Sequence, residues 1–230
     1  MVRATLGNSV LLARAAVAVV LVCIGVLVLA LPPASSSTRP QGSPSFTERF
    51  TSPELNQGNW TQLAGTWRPS FGSVTLESST QNVSPPQDAR QSDPTAINGL
   101  LIHHSGASPK RTSVTLVEGT DGCGLALRYK DPSNYWYLFK SADFATWTLR
   151  SVEGGVERYR GNSGLSPTGD STRISVVDNS TSIRIVAEGF NFLRSETVVN
   201  TAGTSREGSA GLIATSNCTT GVWANFEETR

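Results

Sequence analysis

The chain has 230 residues, with 19 Lys and Arg, 18 Asp and Glu and three cysteines. Every acid lies beyond residue 45, and without Arg3, Arg14 and Arg39 the remainder holds 16 basic against 18 acidic residues, a formal charge of −2. That balance argues against nucleic acid as a partner, since phosphate neutralisation needs clustered positive charge, and equally against a polybasic membrane-binding surface.

Residues 1–31 differ from the rest. Arg3 and Arg14 flank a start without acids, Ala15–Leu31 is an uncharged apolar run of 17 residues, and Pro32-Pro33-Ala34 closes it. This is an export signal rather than part of a fold. The run is long for a signal peptide and short for a transmembrane span, so two outcomes stand: cleavage after Ala30, or retention as a single-pass anchor with the remainder outside the cell. Residues 32–45 (PPASSSTRPQGSPS) are rich in Pro and Ser and read as a solvated linker. Residues 46–230 suffice for one well-buried domain.

Beyond residue 46 the hydrophobic period is two. Segments 112–119 (TSVTLVEG), 171–178, 181–189, 209–216 and 222–228 alternate apolar and polar positions, with turn residues between them. About a dozen short strands without helical interruption predict an antiparallel sandwich or barrel. Cys123 and Cys218 are the two cysteines outside the apolar segment. In an oxidising compartment they are expected to pair, and the chain-entropy model gives such a loop about 4–5 kcal/mol before strain.

The stretch GLALRYKDPSNYWYLF (residues 124–139) predicts a hairpin turning at Asp131-Pro132-Ser133-Asn134. With Lys130 opposite Tyr135, alternation puts Leu125, Leu127, Tyr129, Trp136 and Leu138 on a core face. Ala126, Arg128, Lys130, Tyr135, Tyr137 and Phe139 fall on the other, with Arg128 across from Tyr137. An unpaired guanidinium is too costly to bury, so that second face is expected to meet water or a ligand.

These residues resemble the concanavalin A-like lectin/glucanase superfamily, in particular the LamG-like and DUF1080-type ("3-keto-disaccharide hydrolase") jelly rolls of exported bacterial proteins. The resemblance is carried by Phe50, Trp60, Gly65, Trp67, Gly124, Leu125, Arg128, Tyr129, Asn134, Tyr135, Gly211, Leu212 and Phe226, and spans nearly all of 46–230. It implies an all-β, antiparallel two-sheet jelly-roll sandwich. It does not imply one function, because lectins, glycosidases and spacers share this architecture.

The catalytic pattern of the glucanases, Glu-x-Asp with a second Glu on one strand face, is absent. His103 and His104 are adjacent, so on a strand they point to opposite faces, and no Gly-x-Ser-x-Gly elbow accompanies them. No cofactor is expected. Calcium is the one metal that loop residues Asp121, Asp131, Asn134, Asp170, Asp178 and Asn179 would suit, although turn chemistry accounts for them equally.

The leading expectation is an exported or membrane-anchored carbohydrate-binding domain. Tyr135, Tyr137 and Phe139 would stack on sugar rings while Arg128 donates hydrogen bonds. Three alternatives remain open. The aromatics would instead stiffen a sheet face covered by the loop 70–97, the domain would be a glycoside-processing hydrolase, or it would be a structural module with a cell-surface protein partner.

Overall fold

The computed structural model describes residues 46–78, 96–106, 108–119, 121–141, 146–165, 171–189 and 193–230. The expected signal or anchor, the linker, Asp170 and most of the loop 70–97 lie outside these. Among the described residues no helix is long and apolar enough to cross a membrane.

The described residues form fifteen strands. In chain order these are β1 (Phe46–Glu48), β2 (Trp60–Ala64), β3 (Thr66–Ser70), β4 (Ser73–Ser78), β5 (Ile97–His103), β6 (Arg111–Glu118), β7 (Cys123–Asp131) and β8 (Asn134–Ser141). They continue with β9 (Thr146–Glu153), β10 (Val156–Leu165), β11 (Thr172–Asp178), β12 (Ser182–Glu188), β13 (Arg194–Asn200), β14 (Ser209–Thr215) and β15 (Val222–Thr229). One sheet has eight strands in the order β13-β12-β11-β6-β15-β4-β3, with β1 also on β15, and the other has seven in the order β10-β9-β8-β7-β14-β5-β2. Every pairing is antiparallel.

Alternation builds the core directly. Leu125, Leu127, Trp136 and Leu138 from the seven-stranded sheet meet Val114, Leu116, Ile174, Val176, Ile185, Trp223 and Phe226 from the other in one continuous cluster. A two-layer stack buries one face of each strand, and the period-two pattern puts the apolar residues there. The Trp223 indole N–H donates to the Gly124 carbonyl at 3.1 Å, so this buried ring has its polar group satisfied.

The expected disulfide is present. Cys123, at the start of β7, is bonded to Cys218 in the β14–β15 turn, with Cα atoms 4.9 Å apart and both sulfurs inside the core cluster. Gly122 allows this approach, because a Cβ there would lie 2.1 Å from the Thr215 Oγ1 and 2.8 Å from the Cys218 amide nitrogen.

Candidate functional site

The β7–β8 hairpin forms where the sequence places it, but its register changes partway. Asp131 pairs with Asn134 as expected, whereas Leu127 pairs with Trp136, so three residues of β7 stand against Tyr135 alone. This is a β-bulge, and Arg128 within it has left-handed backbone (φ 49°). The expected register is thereby corrected: Tyr137 lies opposite Ala126, not Arg128, and Phe139 lies opposite Gly124. The bulge also exchanges two side chains. Tyr129 turns outward to Tyr135, with ring centroids 6.0 Å apart, and Arg128 turns inward over the Trp136 ring at 4.8 Å.

Arg128 is therefore a clamp between sheets rather than a donor on an open face. Its Nε and Nη2 donate to the two carboxylate oxygens of Asp178 at 2.7 and 2.8 Å. Its Nη1 donates to Thr204 Oγ1 at 2.7 Å and to the Ser205 carbonyl at 3.3 Å, and Nη2 also reaches Thr201 Oγ1 at 3.3 Å. All five N–H groups are engaged, and the side chain is 2 % exposed. Asp178 continues the inward row of Ile174 and Val176 on β11, as Arg128 continues that of Leu125 and Leu127 on β7. The two charges thus meet at one end of the core. Asp178 also accepts from the Ser180 amide at 3.1 Å, so its turn role stands beside the ion pair.

Tyr135, Tyr137 and Phe139 do share the outer face of the seven-stranded sheet, as alternation predicts. Successive ring centroids are 5.8 and 5.6 Å apart. They do not form an open shelf, however: Tyr137 is 0 % exposed, and the three rings belong to a second buried cluster with Leu100, Ile102, Val152 and Ile213. Arg150 lies 5.4 Å from the Phe139 ring centre and pairs with the buried Glu157 carboxylate at 2.9 Å. The face tolerates charge because the charge is paired.

Burial first, then the Glu157 carboxylate and Tyr129, hold the Tyr135 phenol well above its ordinary value of 10.0. Burial and then Asp131 raise Tyr129. A raised folded value favours the neutral phenol, so this contribution to stability is complete below pH 10 and is lost as pH rises toward the folded value. Ionisation of Tyr135 in an alkaline titration is expected to appear together with unfolding, and Tyr135→Phe should lessen the loss of stability above pH 10. Ionisation of Tyr135 near pH 10 in an intact fold would contradict this.

The turn end of the hairpin, against the β13–β14 connection, holds a pocket of about 250 Å³ lined by Arg128, Lys130, Tyr135, Trp136, Glu153 and Glu207, among others. Of the four residues expected to bind ligand, the structure brings Arg128 and Tyr135 to it and leaves Tyr137 and Phe139 out. Its polar groups are held in place. Lys130 Nζ donates to Ser205 Oγ at 3.0 Å and to the exposed Glu207 carboxylate at 3.2 Å. The Asn134 amide donates to both Asp131 oxygens, at 3.0 and 3.1 Å, and its oxygen accepts from the Gly154 amide at 3.1 Å. Arg160 pairs with Glu153 and donates to Ser151 Oγ at 2.8 Å. The buried Trp136 ring at the base has the Arg128 and Arg160 guanidinium carbons 4.8 and 4.9 Å from its centre. The connection docks backbone to backbone at Gly208 (φ 135°), where a Cβ would come within 2.3 Å of the Arg128 carbonyl carbon. Lys130, Glu153 and Glu207 of this lining are not among the expected ligand-binding residues. Only the charged rim beside Asp131-Pro132-Ser133-Asn134 signals part of this set.

His103 ends β5 and His104 follows it. His103 Nδ1 lies 3.0 Å from Glu228 Oε2 in the interior, and His104 bonds Thr61. Asp121 pairs with Lys140 at 3.9 Å. Among the described residues no group of three or more His, Cys, Asp or Glu is gathered as metal ligands would be.

Neither a protein-family model nor a curated protein sequence matches the chain. Solved structures resemble it in fold. Carbohydrate binding module CBM66 from Bacillus subtilis aligns with a TM-score of 0.52 and 15% identity, over 74% of this chain and 96% of that one. A prokaryotic β-1,3-1,4-glucanase (lichenase) derived from a mouse hindgut metagenome aligns with a TM-score of 0.54 and 10% identity, over 80% and 98%. The exoplasmic/lumenal domain of VIP36, in its Ca2+/Man3GlcNAc-bound form, aligns with a TM-score of 0.51 and 11% identity, over 80% and 89%. At such identities the likeness is one of fold: an antiparallel jelly-roll sandwich, as the resemblance in the sequence implies.

Proposed function

We propose that this is an extracytoplasmic lectin-like domain that binds carbohydrate in the pocket between the β7–β8 turn and the β13–β14 connection. The observation that carries this reading is the set of pre-positioned polar groups around a small pocket, Lys130, Glu207, Glu153 and Asn134, each held by a neighbour before any ligand arrives. Sugar hydroxyls donate and accept at once, so a fixed ammonium beside carboxylates suits adjacent hydroxyls, and fixing the groups in advance lowers the entropic cost of binding. At about 250 Å³ the pocket is smaller than the roughly 300–1,000 Å³ of drug-sized sites, a scale that suits one sugar ring rather than a chain. Since cations and carboxylates are already paired, a neutral saccharide fits better than a uronate. Trp136 is buried and already carries two guanidinium groups about 5 Å from its ring centre, so grip comes from hydrogen bonds, with Tyr135 as the apolar wall. Arg128 serves this site as its organiser.

The disulfide supports an oxidising compartment, and the run at 15–31 would deliver the domain there, as a cleaved signal or as an anchor. The structural neighbours, a carbohydrate binding module and a saccharide-bound lumenal domain among them, fit this reading.

Retention on a glycan array tests it. Lys130→Ala and Glu207→Ala each remove an exposed group and should lower retention about tenfold or more while shifting Tm by no more than a degree or two. Equal retention by wild type and both variants would sink the pocket. One observation favours a second reading, a glycoside-processing hydrolase: Glu153 and Glu207 line the same pocket. Product release from a polysaccharide panel, abolished in Glu207→Gln, would decide for it.

A further inference from the structure

We propose that a second, smaller cavity across the β13–β14 connection from the saccharide pocket binds one halide-sized anion, and that this anion tightens the saccharide pocket. The coupling rests on the saccharide reading, whereas the anion site itself does not.

The connection divides the two cavities. Gly203, Thr204, Ser205 and Glu207 line the saccharide pocket, while Arg206 and Gly208 line a cavity of about 10 Å³. The walls of this cavity include Thr112, Leu127, Val176 and Ala210, all at the end of the core, and Arg128 lines both spaces. Such a volume holds about one water-sized species.

Charge decides which species. Two guanidinium groups, Arg128 and Arg206, flank the cavity against one carboxylate, Asp178. Arg128 already answers that carboxylate, giving Nε to Oδ2 and Nη2 to Oδ1, and the Ser180 amide adds a third donor. Arg206 has no such share. Its Nε stands 3.9 Å from Asp178 Oδ1, beyond hydrogen-bond reach, and this N–H is buried without an acceptor among the described residues. The Arg206 side chain is 26 % exposed, so its charge is only partly solvated. The acid next to it in the chain, Glu207, is bonded to Lys130 instead. Lys110, which is exposed and whose carbonyl accepts from the Asp178 amide at 2.8 Å, adds a third cation at this end of the fold. The cavity is therefore a small space with a free donor and positive charge in excess. Water would satisfy the N–H but not the charge; an anion satisfies both.

The link to the saccharide pocket is the chain itself. Gly208 is fixed by its amide, which donates to Ser108 Oγ at 3.0 Å, and by its close approach to the Arg128 backbone. Arg206 lies between Ser205 and Glu207, the two residues that hold Lys130 Nζ. An anion that fixes Arg206 fixes both neighbours, and groups set in advance lower the entropic cost of binding a sugar.

The test compares the full chain in sodium chloride, sodium bromide and sodium gluconate at one ionic strength, so that screening is constant. Gluconate is too large for the cavity. Either halide, at ten times its half-saturating concentration, should raise Tm over gluconate by about 3–5 °C and then level off. It should also raise glycan retention about fivefold. Arg206→Gln keeps a donor but not the charge, and Ala210→Val fills the cavity. Each should abolish the halide response, read against the variant's own Tm in gluconate. Equal Tm in all three salts would show that the cavity holds water only and would overturn the proposal. An undiminished halide response in either variant would overturn it too. A halide-dependent Tm with unchanged glycan retention would overturn the coupling. If no glycan is retained in any salt while Tm still follows the halide, the saccharide reading fails and the anion site stands.

Discussion

Replacing Arg128 with alanine is expected to destabilise the domain by about 3–5 kcal/mol, because it strips the largely buried Asp178 carboxylate of its two-pronged partner and leaves only Arg206, 3.9 Å away. For a domain of this size that corresponds to a fall in Tm of roughly 10 °C. Arg128→Lys should recover little, since a point charge cannot reproduce the two-pronged contact with Asp178 and the bonds to Thr201, Thr204 and Ser205. Replacing both partners by apolar residues, Arg128→Met with Asp178→Leu, should restore part of the stability, because the two most buried charges leave together while the half-buried Arg206 stays behind. Glycan retention should stay lost in that double variant, as the β13–β14 connection no longer has the guanidinium that holds it. A Tm loss of only a degree or two for Arg128→Ala, measured by calorimetry, would show that the ion pair does not join the sheets as described.

Reducing the Cys123–Cys218 disulfide is the second large effect. Its sequence separation of 95 residues is long, and removal of such a bond costs about 2–5 kcal/mol. Reduction leaves both sulfurs in the core, so no cavity confounds the measurement as it would for alanine variants. Melting with and without reductant should differ by roughly 10 °C, with alkylation and intact mass confirming one bond per chain. No mass shift on reduction and alkylation, or an unchanged Tm after it, would contradict the structure.

Sorting the β7–β8 hairpin into faces needs only regular strands. Leu125, Leu127, Trp136 and Leu138 are inside, and Tyr135, Tyr137 and Phe139 are on the opposite face, as the period of two dictates. That logic stops at the bulge. Nothing in the local pattern marks Arg128 as left-handed, and the change of register reverses Arg128 and Tyr129 at once. The inward position of Asp178 is readable from Ile174, Val176 and Asp178 as alternate residues. Its partner is not, because a contact between sheets across 50 residues leaves no trace in spacing. Strands β10 and β13 are hidden for a related reason. They end their sheets, mix Arg, Glu and Gly with few apolar residues, and so lack the alternation that marks a strand with one buried face. The openness of the aromatic face was expected because a guanidinium was placed on it. Once Arg128 turns inward, the three rings and paired Arg150 remain, and such a face can be buried.

The most direct test is chemical-shift mapping of 15N-labelled protein titrated with an oligosaccharide selected on the array. Binding in the pocket predicts that shifts gather at Lys130, Asn134, Glu153 and the 203–207 segment. Shifts gathered instead at Tyr137, Phe139 and Ile213, with the pocket amides unmoved, would contradict it.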